Sequence, residues 1–223
     1  RMGRTDDGTA TTDFDPEEIR RHISINIGLA PCEWGDCKIN VVDVPGYLDF
    51  EGEVRIALRV VETAVLVTPA QGDVEVGFEN AWQHAVDAGR PRVVFVSRMD
   101  RENADYFSVL EKLREVHGSA IATVQVPIGQ AEHFRGIVDL IEMKAYEGVG
   151  RQFNEVPIPD ELADTVARLR AMLVESAAEG DDELIEKYFE AEDLTNEEVM
   201  KGLKAGVASG RVVPVLCGAA AKN

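Results

Sequence analysis

The sequence predicts an α/β domain with a mostly parallel sheet, interrupted by an inserted segment. Short apolar runs at 64–67 and 93–96 alternate with segments whose apolar residues have helical spacing, which is typical of parallel sheets covered by helices. From Gly129 the pattern changes to long acidic amphipathic helices, and 212–216 then returns as an apolar strand. The insertion therefore lies inside the α/β domain.

In the first part of the chain, the sequence predicts a polar loop followed by strands and helices. Residues 1–22 lack apolar periodicity and predict a loop. Strands are predicted at 23–30 and 38–44, joined by a hairpin connection that contains Gly35. The further elements are helices over 50–61, 75–88 and 104–117 and strands at 64–67, 93–96 and 123–126.

The inserted segment predicts mainly helices. A strand is expected within 137–143 and a loop at 148–159. Apolar residues spaced from Leu162 to Leu173 predict a long helix, followed by acidic helices around 182–191 and 195–208. Thr195 with Glu198 fits a capping box at the start of the last helix.

The charge of the chain is strongly negative, at −18. This field repels phosphate backbones and argues against direct, non-specific binding of nucleic acid. Residues 155–198 contain fifteen acidic and three basic side chains, a local net charge of −12. Two interpretations stay open for this segment: a solvated helical face, or a docking surface for a basic partner.

Other bulk features exclude several classes of protein. No run of eighteen apolar residues occurs, so the sequence predicts no membrane span. The three cysteines, Cys32, Cys37 and Cys217, form no CxxC pair and indicate neither a disulfide framework nor a zinc site. We expect a cytoplasmic domain.

The residues Asp43 to Gly46 follow an apolar strand and precede a helix, where ligands bind in α/β sheets. An aspartate there can hold Mg²⁺ through water, and a glycine allows a backbone N–H to approach a terminal phosphate. This short pattern is weak by itself, because aspartate before a turn is common.

Two further strand ends predict a binding site for a base. Asp100 ends the run that begins with Ser97 and Arg98, and its carboxylate can accept paired hydrogen bonds from guanine. Adenine lacks that pair of donors. After Cys217, the small residues Ala219 and Ala220 leave backbone N–H groups free to face a flat base.

The order of these motifs resembles the G domain of translational GTPases, and the flanking residues resemble elongation factor G. Residues 43–50, Asp-Val-Pro-Gly-Tyr-Leu-Asp-Phe, are similar to the family's Asp-Thr-Pro-Gly-His-Val-Asp-Phe. Residues 98–105, Arg-Met-Asp-Arg-Glu-Asn-Ala-Asp, are similar to its Lys-Met-Asp-Arg-x-x-Ala-Asp run. Residues 125–129 resemble the stretch before the family's G′ insertion, and 214–218 lead back out of it, continued by Lys222 and Asn223.

The resemblance covers essentially the whole chain and implies both fold and function. The fold is that of a P-loop NTPase-like G domain over 1–128, a G′-like insertion over 129–211 and a return strand with the last guanine-binding loop over 212–223. The implied cofactors are GTP or GDP and Mg²⁺. The implied function is GTP binding and hydrolysis in a ribosome-associated translocation factor, whose acidic insertion approaches the stalk protein of the large subunit.

The resemblance also implies roles for single residues. Residues 1–24 correspond to switch I, with Ser24 at the position of a threonine that ligates Mg²⁺ and senses the γ-phosphate. Asp43 and Gly46 begin switch II. The implied metal-binding residues are Ser24 and Asp43. The implied nucleotide-binding residues are Asp43, Gly46, Ser97, Arg98, Asp100, Ala219 and Ala220.

Several departures from the family pattern bear on activity. Tyr47 stands at the position of the catalytic histidine; it is a neutral phenol at pH 7 that either orients the attacking water or merely packs. Ser97 and Arg98 replace asparagine and lysine, and Ala219 replaces serine. With Asp100 intact, these changes predict guanine preference at reduced affinity.

The sequence contains no phosphate-binding loop of the pattern GxxxxGK followed by Ser or Thr. In the family this loop lies just upstream, and we expect its strand to lie between the strands predicted at 38–44 and 64–67. This fragment alone is therefore expected to be inactive. The resemblance leaves open a ribosomal protection protein or a release-factor GTPase, and, in another class, a non-catalytic pseudo-GTPase that docks through its acidic insertion.

Overall fold

The structure is a computed structural model that describes residue 3 and residues 7–149, 152–191 and 193–220. Its helices are α1 (Pro16–Arg21), α2 (Glu51–Ala57), α3 (Val76–Asp87), α4 (Tyr106–His117), α5 (Ala163–Ala178), α6 (Asp182–Ala191) and α7 (Asn196–Ala208). Its strands are β1 (Gly28–Trp34), β2 (Cys37–Asp43), β3 (Ala64–Pro69), β4 (Arg92–Ser97), β5 (Ile121–Thr123), β6 (Gln125–Ile128), β7 (Gly136–Asp139), β8 (Lys144–Val149), β9 (Gln152–Val156) and β10 (Val213–Cys217).

The chain divides into two compact units. The first comprises Arg1–Ala64 and Glu79–Arg90, and the second comprises Val65–Phe78 and Pro91–Asn223. Lys222 and Asn223, which continue the last predicted motif, lie outside the described residues.

The first unit contains an antiparallel hairpin of β1 and β2, which confirms the predicted pair of strands. The register runs from Gly28 opposite Asp43 to Trp34 opposite Cys37, so only two residues form the turn. Gly35 in this turn has φ of 56°, a conformation that glycine adopts without strain. The first strand begins later than the predicted residue 23.

Helix α1 corrects the prediction that residues 1–22 are a loop. Asp15 caps this helix by accepting a hydrogen bond from the N–H of Glu17, and a capping box pairs Asp15 with Glu18. Pro16 fits the first turn, where a backbone N–H has no helical partner. Capping, and not apolar periodicity, defines this short helix.

The second unit contains a four-stranded sheet in the order β3-β4-β10-β5. Strand β10 pairs in parallel with both β4 and β5, which confirms the predicted α/β class with a parallel sheet. Val94 and Val96 of β4 are fully buried, as are Val213 and Val215 of β10. In β3, burial alternates along the strand: Val65 and Val67 are exposed, whereas Leu66 and Thr68 are buried.

The strand predicted over 123–126 is two strands in different sheets. Strand β5 pairs with β10 in the parallel sheet, whereas β6 pairs with β7 in an antiparallel sheet. Val124 joins them: its N–H donates to the carbonyl of Val215, and its carbonyl accepts from the N–H of Leu140. A single residue therefore connects the two sheets.

The antiparallel sheet has the order β6-β7-β8-β9. The predicted loop over 148–159 is wrong at 148–149 and 152–156, because β8 continues to Val149 and β9 pairs with it from Gln152 to Val156. Cross-strand contacts explain the pairing: Lys144 forms a 3.0 Å ion pair with Glu155, and the rings of Tyr146 and Phe153 meet edge to face.

Helices α5, α6 and α7 follow this sheet, and α7 begins with the predicted capping box of Thr195 and Glu198. Helices α5 and α7 approach closely at a glycine. A Cβ atom added to Gly202 would lie 2.1 Å from the carbonyl oxygen of Ala177. Among the described residues, no helix has both the length and the apolar character required to cross a membrane.

Candidate functional site

The loop after β4 contains three of the predicted nucleotide-binding residues. Ser97 ends the strand, and its hydroxyl donates to the carbonyl of Thr68 over 3.2 Å. Arg98 is exposed and has φ of 58°, a left-handed conformation that is uncommon for residues with a Cβ. Met99 is fully buried, and Asp100 is partly exposed. The buried methionine thus fixes a turn between two polar side chains that solvent reaches.

The loop after β10 lies directly against this turn. The N–H of Met99 donates to the carbonyl of Gly218, and the N–H of Gly218 donates to the carbonyl of Val96. Ala219 is buried and Ala220 is exposed. These hydrogen bonds bring the two predicted base-binding segments together at the carboxyl end of the parallel sheet.

The end of β3 braces the same loop. The N–H of Ala70 donates to the carbonyl of Ser97 over 2.8 Å, and the N–H of Asp105 donates to the carbonyl of Ala70 over 2.6 Å. Three neighbouring strand ends therefore share one backbone network. A preformed network costs little ordering entropy when a ligand binds.

Gln125 forms a hydrogen bond with the end of β10, where the loop that contains Ala219 begins. Its side-chain oxygen accepts a hydrogen bond from the N–H of Cys217 at 3.2 Å, and its carbonyl accepts from the buried hydroxyl of Tyr106 at 2.9 Å. Burial raises the pKa of the Cys217 thiol to about 12, so this cysteine stays protonated. Cys217 is a packing residue, not a nucleophile.

In the first unit, the predicted metal residues Ser24 and Asp43 meet the same short segment. The hydroxyl of Ser24 donates to a carboxylate oxygen of Asp13 over 2.8 Å. The hydroxyl of Thr12 donates to a carboxylate oxygen of Asp43 over 2.5 Å. Thr12 and Asp13, which are adjacent in sequence, therefore form hydrogen bonds with the two predicted metal-binding residues.

Gly46 and Tyr47 follow Asp43 on an open surface. A Cβ atom added to Gly46 would meet no atom within 4 Å, so the backbone there is accessible. Tyr47 is 57% exposed and immediately precedes the short turn Leu48–Phe50 before α2. The phenol therefore projects toward solvent instead of packing in the core.

Glu18 is a buried carboxylate that the sequence analysis does not identify. It is fully buried and accepts hydrogen bonds from the N–H groups of Phe14, Asp15, Ile25 and Asn26. Burial raises the pKa of Glu18, but its four backbone donors outweigh burial, and the pKa lies below its usual value. The Asp-x-x-Glu capping pattern at 15–18 is the sequence signal that could have found it.

The structure thus places the predicted residues in two groups, one in each unit. Ser24, Asp43, Gly46 and Tyr47 belong to the first unit, and Ser97, Arg98, Asp100, Ala219 and Ala220 belong to the second. In the part of the chain that the structure describes, no three His, Cys, Asp or Glu side chains cluster in a way that could hold a metal ion. The predicted pair of a hydroxyl and one carboxylate is nevertheless of the oxygen type that Mg²⁺ prefers when phosphates supply further ligands.

Comparison with known proteins identifies the family of the chain. The family model described as elongation factor Tu GTP binding domain matches residues 1–223. A crystal structure of the protein ttk003000868 from Thermus thermophilus superposes with a TM-score of 0.91 at 34% sequence identity. The match covers 98% of this chain but 33% of that one, so this chain spans about a third of its length. The chain belongs to the family of the elongation factor Tu GTP-binding domain, and is therefore a translational GTPase domain as its motifs predict.

Proposed function

We propose that the chain is the GTP-binding and GTP-hydrolysing domain of a cytoplasmic, ribosome-associated elongation factor of the elongation factor G type, which acts in translocation. The supporting observation is the pair of hydrogen bonds that join the Ser97–Asp100 turn to the loop after Cys217. Family membership implies guanine-nucleotide binding and GTPase activity in general. The elongation factor G type rests on the motif resemblance, with a G domain over 1–128 and 212–223 and a G′-like insertion over 129–211.

Each residue of the second group has a distinct task in this proposal. The carboxylate of Asp100 accepts the ring N–H and amino N–H of guanine. Arg98 lays its aliphatic stem and planar guanidinium over the base, since its side chain is exposed. Ala219 and Ala220 present backbone N–H groups, whereas Ser97 braces the loop through Thr68.

The residues of the first group act at the phosphates. The hydroxyl of Ser24 and the carboxylate of Asp43 are oxygen donors of the type that Mg²⁺ prefers, and both lie at the Thr12–Asp13 segment. They would hold the ion, which neutralises charge on the phosphate oxygens when bound. Gly46 offers its N–H to the γ-phosphate, and Tyr47 orients the attacking water.

The acidic insertion is proposed to contact the stalk protein of the large ribosomal subunit. Glu175 and Glu179 are exposed on and just after α5, so both carboxylates are available to a basic partner. An alternative function is a non-catalytic pseudo-GTPase that binds partners through this surface. The exposed Tyr47 in place of histidine is the observation that favours this alternative.

The test is a titration of the full-length protein against GDP and ADP. We expect selective binding of GDP, and a switch toward xanthosine diphosphate in Asp100→Asn, because the amide restores the donor–acceptor match to xanthine. Absence of guanine binding by the folded protein would favour the interaction module instead.

A further inference from the structure

A buried carboxylate ties together the two ends of the segment that contains Ser24. Glu18 accepts hydrogen bonds on one oxygen from the N–H groups of Phe14 (3.0 Å) and Asp15 (2.8 Å). Its other oxygen accepts from the N–H groups of Ile25 (2.9 Å) and Asn26 (2.8 Å). One side chain therefore cross-links stretches of backbone that lie eleven residues apart in sequence.

The cross-link stands immediately beside the proposed metal residues. Asp13 precedes Phe14, and Ser24 precedes Ile25, so the Ser24–Asp13 hydrogen bond is the next contact beyond those of Glu18. The contact after that is between Thr12 and Asp43. Glu18, Asp13–Ser24 and Thr12–Asp43 thus form three successive cross-links, and the last reaches the end of β2.

The contacts of Glu18 require an ionised carboxylate. Each of its oxygens faces two backbone N–H donors, so neither oxygen has room to become a donor itself. Protonation or conversion to glutamine would turn one oxygen into a donor directed at other donors. The site therefore distinguishes a carboxylate from a side chain of nearly identical shape.

We propose that Glu18 is a positioning residue that sets the Ser24 hydroxyl for the GTP-bound state. This inference rests on the proposed function, in which Ser24 faces Mg²⁺ and the γ-phosphate. In this proposal Glu18 contacts neither Mg²⁺ nor the γ-phosphate. It acts by holding the backbone next to Asp13 and next to Ser24. Because GDP lacks the γ-phosphate, the cross-link matters for GTP and not for GDP.

The test compares the full-length protein with its Glu18→Gln and Ser24→Ala variants and with the double variant. The probes are GDP and a non-hydrolysable GTP analogue, each over a range of Mg²⁺ concentrations. We expect Glu18→Gln to weaken binding of the analogue about tenfold and raise the Mg²⁺ requirement, because a buried acceptor to several donors is lost. GDP affinity should stay within about twofold, since Glu18 does not act on the base or the β-phosphate.

The double variant separates positioning from general destabilisation. If Glu18 acts through Ser24, the two substitutions should be non-additive toward the analogue. The matched control is Glu17→Gln, on the same helix, where the carboxylate is exposed and pairs with Arg20 and Arg21. This control should bind both nucleotides like the wild type.

Hydrogen exchange on the wild type keeps the proposal testable if Glu18→Gln fails to fold. The amides of Phe14, Asp15, Ile25 and Asn26 should be protected together with the analogue and exchange together with GDP. Equal protection in both states, or equal weakening of both nucleotides by Glu18→Gln, would overturn the proposal. A wild type that binds no guanine nucleotide would instead refute the proposed function.

Discussion

The N–H of Met99 donates to the carbonyl of Gly218 over 3.3 Å, so a buried methionine in one loop fixes the backbone of another. The two loops follow β4 and β10, which are neighbouring parallel strands. Asp100, one residue after Met99, therefore has a defined position relative to Ala219. Guanine recognition is expected to depend on this backbone contact as much as on the Asp100 side chain.

Substitution of Gly218 should weaken guanine binding. A Cβ atom at this position would lie 2.9 Å from the ring of Phe95, so Gly218→Ala must displace the ring or the loop. We expect GDP affinity to fall about three- to tenfold, in line with a local packing shift of about 1 kcal/mol. Phe95→Leu in the Gly218→Ala background should restore part of the lost GDP affinity. Titration with GDP measures both effects, and full affinity in the single variant would contradict the close contact.

We expect Tyr47 to affect hydrolysis more than nucleotide binding. Because the phenol is exposed and follows Gly46, its replacement should leave GDP affinity unchanged. Tyr47→His is expected to raise ribosome-stimulated GTP hydrolysis, and Tyr47→Phe to lower it by about tenfold or more through loss of the hydroxyl that orients water. Phosphate release in the presence of ribosomes measures this, and equal rates in all three proteins would exclude a role for the Tyr47 side chain in hydrolysis.

Glu18 should make folding stability depend on pH. Its folded-state pKa lies below the ordinary value, so its contribution is complete above the unfolded pKa of about 4.3 and is lost as the pH falls through the folded pKa. Above about pH 5, Glu18→Gln should be less stable than wild type by about 1–3 kcal/mol, because buried N–H groups lose their acceptor. Urea unfolding at a series of pH values measures this difference, which should shrink in acid. The neighbouring carboxylates of Asp15 and Glu17 are present in both proteins, so their contributions cancel in the comparison.

The helix contact at Gly202 should tolerate no side chain. The added methyl group of Gly202→Ala would lie 2.1 Å from a backbone oxygen of α5, so the helices must separate, at a cost of about 1–3 kcal/mol. Gly52→Ala in α2 is the matched control, because its Cβ atom would meet nothing within 4 Å. That change should stabilise the protein by up to about 1 kcal/mol through helix propensity. Thermal unfolding measures the melting temperatures of Gly202→Ala and Gly52→Ala. Similar melting temperatures for the two variants would refute the close contact between α5 and α7 at Gly202.

The acidic insertion should set the rate of ribosome association. Charge reversal at Glu175 and Glu179, both exposed, should slow association, and more so at low salt, where surface charges are least screened. Reversal of Glu62, an exposed residue before β3 and outside the insertion, serves as the control. Stopped-flow mixing with ribosomes measures the rates. An unchanged rate at low salt would leave the segment as a solvated helical face.

The sequence predicted those parts of the fold in which apolar periodicity and strand ends coincide. The loops containing Asp100 and Ala219 were both predicted, and the parallel pairing of β4 with β10 explains why they meet. Helix α1 and strand β9 were missed for different reasons. Helix α1 depends on caps around Asp15, and β9 depends on contacts with β8 that a one-dimensional pattern does not contain.

The buried role of Glu18 shows the limit of sequence reasoning at the site. A glutamate in a polar stretch predicts a solvated side chain, since isolated buried carboxylates are costly. Here the donors that compensate burial come from backbone on both sides of α1, including Ile25 and Asn26. Only the folded path of the chain brings them to one carboxylate.

The connection at Val124 has a mechanical consequence. Its N–H donates to the carbonyl of Val215 and its carbonyl accepts from the N–H of Leu140, so hydrogen bonds as well as the chain join the parallel and antiparallel sheets at this residue. The inserted sheet is therefore not a tethered module that swings on a linker. We expect a load applied to it to pass through Val124 to a strand position two residues before Cys217, next to the loop proposed to face the base.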